Sequence, residues 1–250
     1  MKKVVTLIYL LAGLSVSAIL LHAGSELTAD DILLKADEIR NPQLDYTSFV
    51  KVTSFNPGRQ PIEATYEVMI KGRDRAVIKI LSPLTDKGRI VLMLNRDLWA
   101  YLPDVSKPLR ISLQQRLLGE VANGDIARVN FSGDYTPEII KNEAIEGKEY
   151  YVLNLTAKTE DVTYSRAVLW VEKRTFYPLK AEFYAISGRL LKTCSYEGYK
   201  KIAGRIRPRR LVMNDPIVEG QKSVIEYDNM DVKFLPEKYF TKDYMKKFMD

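Results

Sequence analysis

The sequence predicts a mainly β protein with some helix: a long, curved antiparallel sheet covered by α-helices. Three observations carry that expectation. From residue 66 onward, short runs alternate between apolar and charged residues and are separated by turns, many of them containing glycine. Fifteen tyrosines spread along the chain favour strands over helical bundles. Helical signals occur at the start, once in the middle and at the end of the chain. A sheet of about ten strands cannot stay flat; it curls and must cover its concave face. If those helices cover it loosely, the result is an apolar hollow under a lid.

The chain opens with Lys2 and Lys3, an apolar run from Val4 to Leu21, and Leu21-His22-Ala23 before Gly24-Ser25. That layout is a secretory signal peptide over residues 1–23, with cleavage after Ala23. The competing reading is an uncleaved inner-membrane anchor, because about 18 apolar residues is the lower edge of a spanning length. Cleavage leaves residues 24–250 as one exported domain, which is the expectation.

Within that domain, Thr28-Ala29-Asp30-Asp31 caps an amphipathic helix carrying Ile32, Leu33, Ala36 and Ile39, which ends near Asn41-Pro42. Tyr66, Val68 and Ile70 alternate with Glu67 and Lys71, and Ala76, Ile78 and Ile80 alternate with Val77, Lys79 and Leu81. The Gly72-Arg73-Asp74 turn makes those two runs a hairpin. Residues 88–94 are apolar on both faces, and Asn95-Arg96-Asp97 turns them into a strand over 98–102. Leu113, Leu117, Leu118 and Val121 then recur at helical spacing. Asn123-Gly124-Asp125 breaks that helix and starts a second short one over 126–129. Strands resume near 150–157, 165–172, 178–185, 189–199, 205–214 and 221–229. Leu235-Pro236-Glu237 leads into a final helix ending at Phe248.

Composition excludes more than it selects. The only histidine is His22, inside the exported leader, so the mature chain holds no imidazole and one cysteine, Cys194. Ser-His-Asp and Cys-His catalysis and histidine metal sites are thereby excluded. No Gly-rich phosphate loop or Cys-x-x-Cys pair occurs. No catalytic residue, metal ligand or cofactor is assigned. A lone cysteine on a strand reads as a small buried hydrophobe. The formal charge of +6, or +4 without Lys2 and Lys3, is too small to argue nucleic-acid binding. One local excess stands out, with Lys200, Lys201, Arg205, Arg207, Arg209 and Arg210 clustered around Gly204. It is either a solvated hairpin end protecting an edge or a docking site for acidic groups or anionic headgroups.

Several pieces together resemble the LolA-like outer-membrane lipoprotein-sorting family. They are Leu94-Asn95-Arg96-Asp97-Leu98-Trp99-Ala100-Tyr101-Leu102-Pro103, and Leu118-Gly119 with Asn123-Gly124-Asp125-Ile126. Further along come Ala167-Val168-Leu169-Trp170-Val171-Glu172, Tyr177-Pro178-Leu179-Lys180 and Ser187-Gly188-Arg189-Leu190-Leu191-Lys192. The order matches across nearly the whole mature chain. The resemblance implies an incomplete antiparallel β-barrel closed by an α-helical lid over a cavity for acyl chains. It also implies a periplasmic carrier that takes lipoproteins from an inner-membrane transporter and gives them to an outer-membrane receptor. Family carriers use an arginine just after the strand preceding the Trp hairpin. Here Arg73 and Arg75 are the candidates, each of which is otherwise an ordinary turn cation.

Alternation places Tyr66, Val68, Ile70, Ile78, Ile80, Leu92, Leu94, Leu98, Leu169, Val171, Leu179, Ala181 and Phe183 on the cavity side. Trp99 and Tyr101 are placed at its rim, and Leu113, Leu117, Leu118 and Val121 on a movable helical lid hinged at Asn123-Gly124. A carrier for lipoprotein acyl chains or lipids, acting as a monomer, is the first functional expectation. The alternative is a non-carrier periplasmic lipid sensor or an accessory subunit of a membrane exporter.

Overall fold

The computed structural model describes residues 27–248, apart from 43, 106, 128 and 129. The leader read over 1–23 and the end of the short helix read to Val129 lie outside them. Helix α1 (Ala29–Arg40) begins on the anticipated cap. The Thr28 hydroxyl accepts from the Asp31 N–H at 3.2 Å, and the Thr28 N–H donates back to the Asp31 carboxylate at 3.1 Å. The helix buries Ile32, Leu33, Ala36 and Asp37.

Six strands follow: β1 (Tyr46–Phe55), β2 (Ile62–Lys71), β3 (Arg75–Ser82), β4 (Ile90–Leu94), β5 (Asp97–Tyr101) and β6 (Leu109–Ile111). A connecting segment holds the small hairpin β7 (Arg116–Leu118) and β8 (Val121–Ala122), then α2 (Asn123–Ala127) and α3 (Phe131–Asp134). The second half contains β9 (Tyr135–Ile145), β10 (Lys148–Ala157), β11 (Arg166–Glu172), β12 (Pro178–Tyr184) and β13 (Leu190–Glu197). A two-stranded hairpin, β14 (Lys200–Ile202) and β15 (Arg205–Arg207), precedes β16 (Arg210–Asn214) and β17 (Lys222–Val232).

Thirteen of these strands form one antiparallel sheet in the order β6-β5-β4-β3-β2-β1-β17-β16-β13-β12-β11-β10-β9. The N-terminal and C-terminal strands pair at its centre, and β6 and β9 are its two edges. The sheet is not closed by hydrogen bonds. Instead the segment from residue 112 to 134 runs from one edge strand to the other, so the chain itself spans the gap. Arg96, in the β4–β5 turn, reinforces that bridge by pairing with Asp134 at 3.4 Å and Asp161 at 3.2 Å.

The inner face carries one continuous apolar cluster from β1 to β13, with α1, Leu113, Val121, Ile126 and Phe131 packed into it. An open half-barrel filled by α1 and by the cross-connection is therefore the architecture. The outer face is also covered. Met69, Val77, Ile90, Leu92 and Tyr101 pack against Leu235, Phe240 and Met245. The last three belong to or precede the 3₁₀ turns Glu237–Phe240 and Lys242–Phe248. The C-terminal segment expected as a concave-face helix is thus 3₁₀ and lies on the convex side.

Two long strands, β1 and β9, and the three-residue β6 and β14 have no counterpart in the sequence reading. Strand β1 buries Ser48 and Ser54 alongside Val50 and Val52, so its inner face is partly polar and hides the alternation. Strand β9 is mostly exposed and holds Pro137, as an edge strand tolerates.

The central helix read over 113–121 is replaced by the β7–β8 hairpin. Gly119 sits between those strands at φ +55°, a left-handed conformation that no right-handed helix passes through. Four apolar residues at mixed spacing are too few to separate a helical stripe from two short strands.

Candidate functional site

Cross-strand pairing fixes which side chains face inward, because residues directly opposite in an antiparallel pair share a face. Tyr66, Val68, Ile70, Ile78, Leu98, Leu169, Val171, Ala181 and Phe183 all belong to the inner cluster, and Ile80 packs against it.

Three positions differ from the sequence expectation. Val91 lies opposite Ile78, and Met93 opposite Leu98, so these two point inward. Leu92 lies opposite Val77 and Trp99 and joins the outer cluster, with Leu94 packed beside it. A strand apolar on both faces gives alternation nothing to choose between. Leu179 is displaced by a bulge: Trp170 pairs with Lys180 but Val171 with Pro178, so Leu179 leaves the ladder and packs on the outer group of Tyr150, Val152, Val168 and Trp170.

Trp99 and Tyr101 are likewise not at a rim. They lie on the outer face under the C-terminal turns, with the Lys242 ammonium 3.1 Å from the Trp99 ring centre.

Leu113 and Val121 are buried in the inner cluster, and Leu117 and Leu118 pack against it, so the apolar face of the cross-connection does meet the hollow. Its attachment is tight. A Cβ on Gly119 would stand 2.2 Å from the Ser54 hydroxyl oxygen, and one on Gly124 would stand 1.9 Å from that of Thr163. The Asn123-Gly124 pair is buried within α2 rather than acting as a loose hinge. Asp125 accepts from the Tyr164 hydroxyl at 2.6 Å, from the Ala122 N–H at 2.8 Å and from the buried Lys192 ammonium at 3.2 Å. Lys192 also donates to the Glu120 carbonyl. Burial, followed by the adjacent Asp125 carboxylate, pushes the Tyr164 phenol well above its ordinary value.

At the C-terminal end of α1 lie two small pockets, each with about 40 Å³ of free volume. That is room for a few waters. The first is floored by Val50, Val68, Ile70, Met93 and Met230, with Arg73, Arg75 and Arg207 among its polar lining. The second is lined by Phe131, Tyr135, Tyr164, Phe183, Leu211 and Met213. Arg40 borders both pockets. Its guanidinium is held by Asp37 at 2.7 Å and lies 3.6 Å from the Phe131 ring centre. Asp37 also accepts the Ser132 N–H at 2.6 Å. Burial raises the Asp37 carboxyl above the usual range, against the pull of Arg40.

The two arginines singled out in the sequence therefore both line the first pocket; Arg75 is paired with Glu237 and Asp74. Arg40 and Arg207 were not singled out as pocket residues. Arg207 is contained in the basic run, but nothing in the sequence distinguishes it from its exposed neighbours.

A larger open groove of about 830 Å³ lies where β7–β8 faces residues 158–165 and 184–192. Its lining mixes the charged Arg116, Glu120, Lys158, Glu160 and Lys192 with the apolar Val121, Val162, Ile186 and Leu191. Among the described residues no cluster of side chains with metal-binding character occurs, and no helix is long and apolar enough to cross a membrane.

An open antiparallel half-barrel, with its apolar inner face plugged by a helix and a cross-connection, defines a recognisable class of fold. A family model described as an uncharacterised protein matches residues 72–247. A LolA superfamily protein from Nitrosomonas europaea is 47% identical, covering 88% of this chain and 100% of its own, with a TM-score of 0.84. A DUF1329 family protein from Desulfovibrio piger is 25% identical over 87% of this chain and 97% of its own, at a TM-score of 0.75. A domain from Vibrio parahaemolyticus, named for outer-membrane lipoprotein sorting, shares the fold at 21% identity, 87% and 98% coverage and a TM-score of 0.72. No protein of curated function matches the sequence. The chain belongs to the LolA superfamily.

Proposed function

We propose that this protein is a periplasmic carrier that shields the acyl chains of lipoproteins or lipids on their way to the outer membrane. The observation that carries the reading is the inner face itself. It is a largely apolar surface, interrupted at Ser48 and Ser54, across most of a sheet that hydrogen bonds leave open, covered by elements that still leave two pockets around Arg40. The Vibrio parahaemolyticus relative, named for lipoprotein sorting, supports the same reading by its fold. Burying ten methylenes gives roughly 8 kcal/mol, which corresponds to micromolar binding. Cargo held that strongly stays in place across an aqueous gap yet leaves for a better acceptor.

On the carrier reading, pockets of about 40 Å³ each correspond to a closed state. Cargo entry then requires α1 or the Arg40 side chain to move. The same small volume favours one second reading, a lipid sensor or exporter subunit whose interior stays filled by side chains. Native mass spectrometry of protein purified from membranes separates the two. The carrier reading expects extractable acyl lipid at near one per chain; lipid-free protein that also fails to take up added lipid would contradict it.

A further inference from the structure

We infer that the first pocket at the C-terminal end of α1 takes the anionic head of an acyl amphiphile, a carboxylate or phosphate, against the guanidinium of Arg207. This inference rests on the carrier reading and narrows its cargo to lipids with an anionic head, as against the neutral ester- and amide-linked acyl chains of lipoproteins. Arg207 is only 2% exposed. One of its nitrogens, Nη1, donates to the Glu38 and Ile39 carbonyls at 3.0 and 3.2 Å, closing the C-terminus of α1. Its Nε and Nη2 are shielded from water and bond to nothing. No carboxylate pairs with it among the described residues: Glu38 is instead 4.0 Å from Arg205, and Asp228 3.9 Å from Arg209.

A buried cation with two idle donors is costly unless something anionic completes it. The helix C-terminus compensates one side only. Arg207 also lines a pocket whose floor is Val50, Val68, Ile70, Met93 and Met230 and whose polar lining includes Arg73, Arg75 and the Tyr46 phenol. The sole carboxylate in that lining is Asp228. The hairpin that supplies Ile202 and Arg207 to the lining also carries the exposed cations Lys200, Lys201 and Arg205. An apolar floor beside a desolvated fork of N–H donors fits an acyl chain ending in an oxyanion. It does not fit a neutral ester or an alcohol, which would leave the charge uncompensated.

Displacement of the neutral probe N-phenyl-1-naphthylamine from the full-length mature chain tests this. Palmitate and palmitoyl lysophosphatidate are compared with hexadecanol and monopalmitoylglycerol. The anionic pair is expected to displace the probe at concentrations at least about tenfold lower, as a charge-assisted hydrogen bond requires. Whichever anion is stronger identifies the head as carboxylate or phosphate. Arg207→Met should abolish the preference while neutral binding persists. If that variant does not fold, Arg207→Gln, which can still donate to the α1 carbonyls without the charge, serves in its place and should lose the preference likewise. Equal displacement by charged and neutral amphiphiles would overturn the headgroup assignment and leave the carrier reading standing. Displacement by none of the four would overturn both.

Discussion

Cys194 illustrates how far one residue's behaviour follows from its surroundings. It is buried on β13, and burial, reinforced by the charge of Asp125, pushes its thiol up to about 12. A thiol in the unfolded chain titrates near 8.5. The folded state thus holds the proton more tightly, and the resulting stabilisation is fully present below about pH 8.5 and lost as pH rises towards 12. The buried phenols of Tyr164, Tyr196 and Tyr227 are shifted upward by burial as well and act in the same direction above about pH 10. Urea midpoints should therefore fall steadily between pH 8.5 and 11, and Cys194 should ignore Ellman's reagent at pH 8 until the chain unfolds. A flat alkaline profile, or a thiol that reacts in the folded protein, would contradict this. The Arg40–Asp37 pair gives a second residue-scale expectation. Both side chains are nearly inaccessible, at 5% and 1%. Arg40→Met should cost about 3–5 kcal/mol by leaving Asp37 uncompensated, and adding Asp37→Leu should recover much of that loss. Denaturant titration of the four members of the cycle measures it.

At the scale of elements, the cross-connection between the two sheet edges is held by close backbone approach rather than by a helical stripe. Gly119→Ala combines a left-handed φ of +55° with a Cβ placed 2.2 Å from Ser54. A loss of about 1–3 kcal/mol is expected from the strain and the displaced hydroxyls, read as a lowered melting temperature. Gly147→Ala, at φ +76° with nothing within 4 Å of a Cβ, should cost less. If the two variants melt together, packing at Gly119 is unimportant. These elements also mark where sequence patterns stop being informative. Helix α1 was legible because cap, stripe and stop agree. The β2–β3 hairpin was legible because charged and apolar residues alternate around a glycine turn. The faces of β4 were not, since only the pairing partners Ile78 and Trp99 distinguish Val91 from Leu92. The bulge that removes Leu179 from the ladder leaves no mark in the sequence, and a 3₁₀ segment covering the convex face looks like any amphipathic end.

For the whole molecule, the central pairing of β1 with β17 makes the sheet depend on both ends of the domain. Two outward tryptophans come with that arrangement: Trp99 lies under Lys242, and Trp170 donates to Glu143 at 3.0 Å. Neither faces the inner cluster, whereas Met93 does. The central claim, that acyl chains enter the inner face of the half-barrel, is tested most directly by a quenching comparison using bromine-labelled palmitate. Met93→Trp in a Trp99→Phe, Trp170→Phe background should be strongly quenched on binding, while the native Trp99 and Trp170 of the unaltered chain keep their emission. Quenching of the native tryptophans, with Met93→Trp unaffected, would mean that lipid binds on the convex surface and that the inner face is only a core.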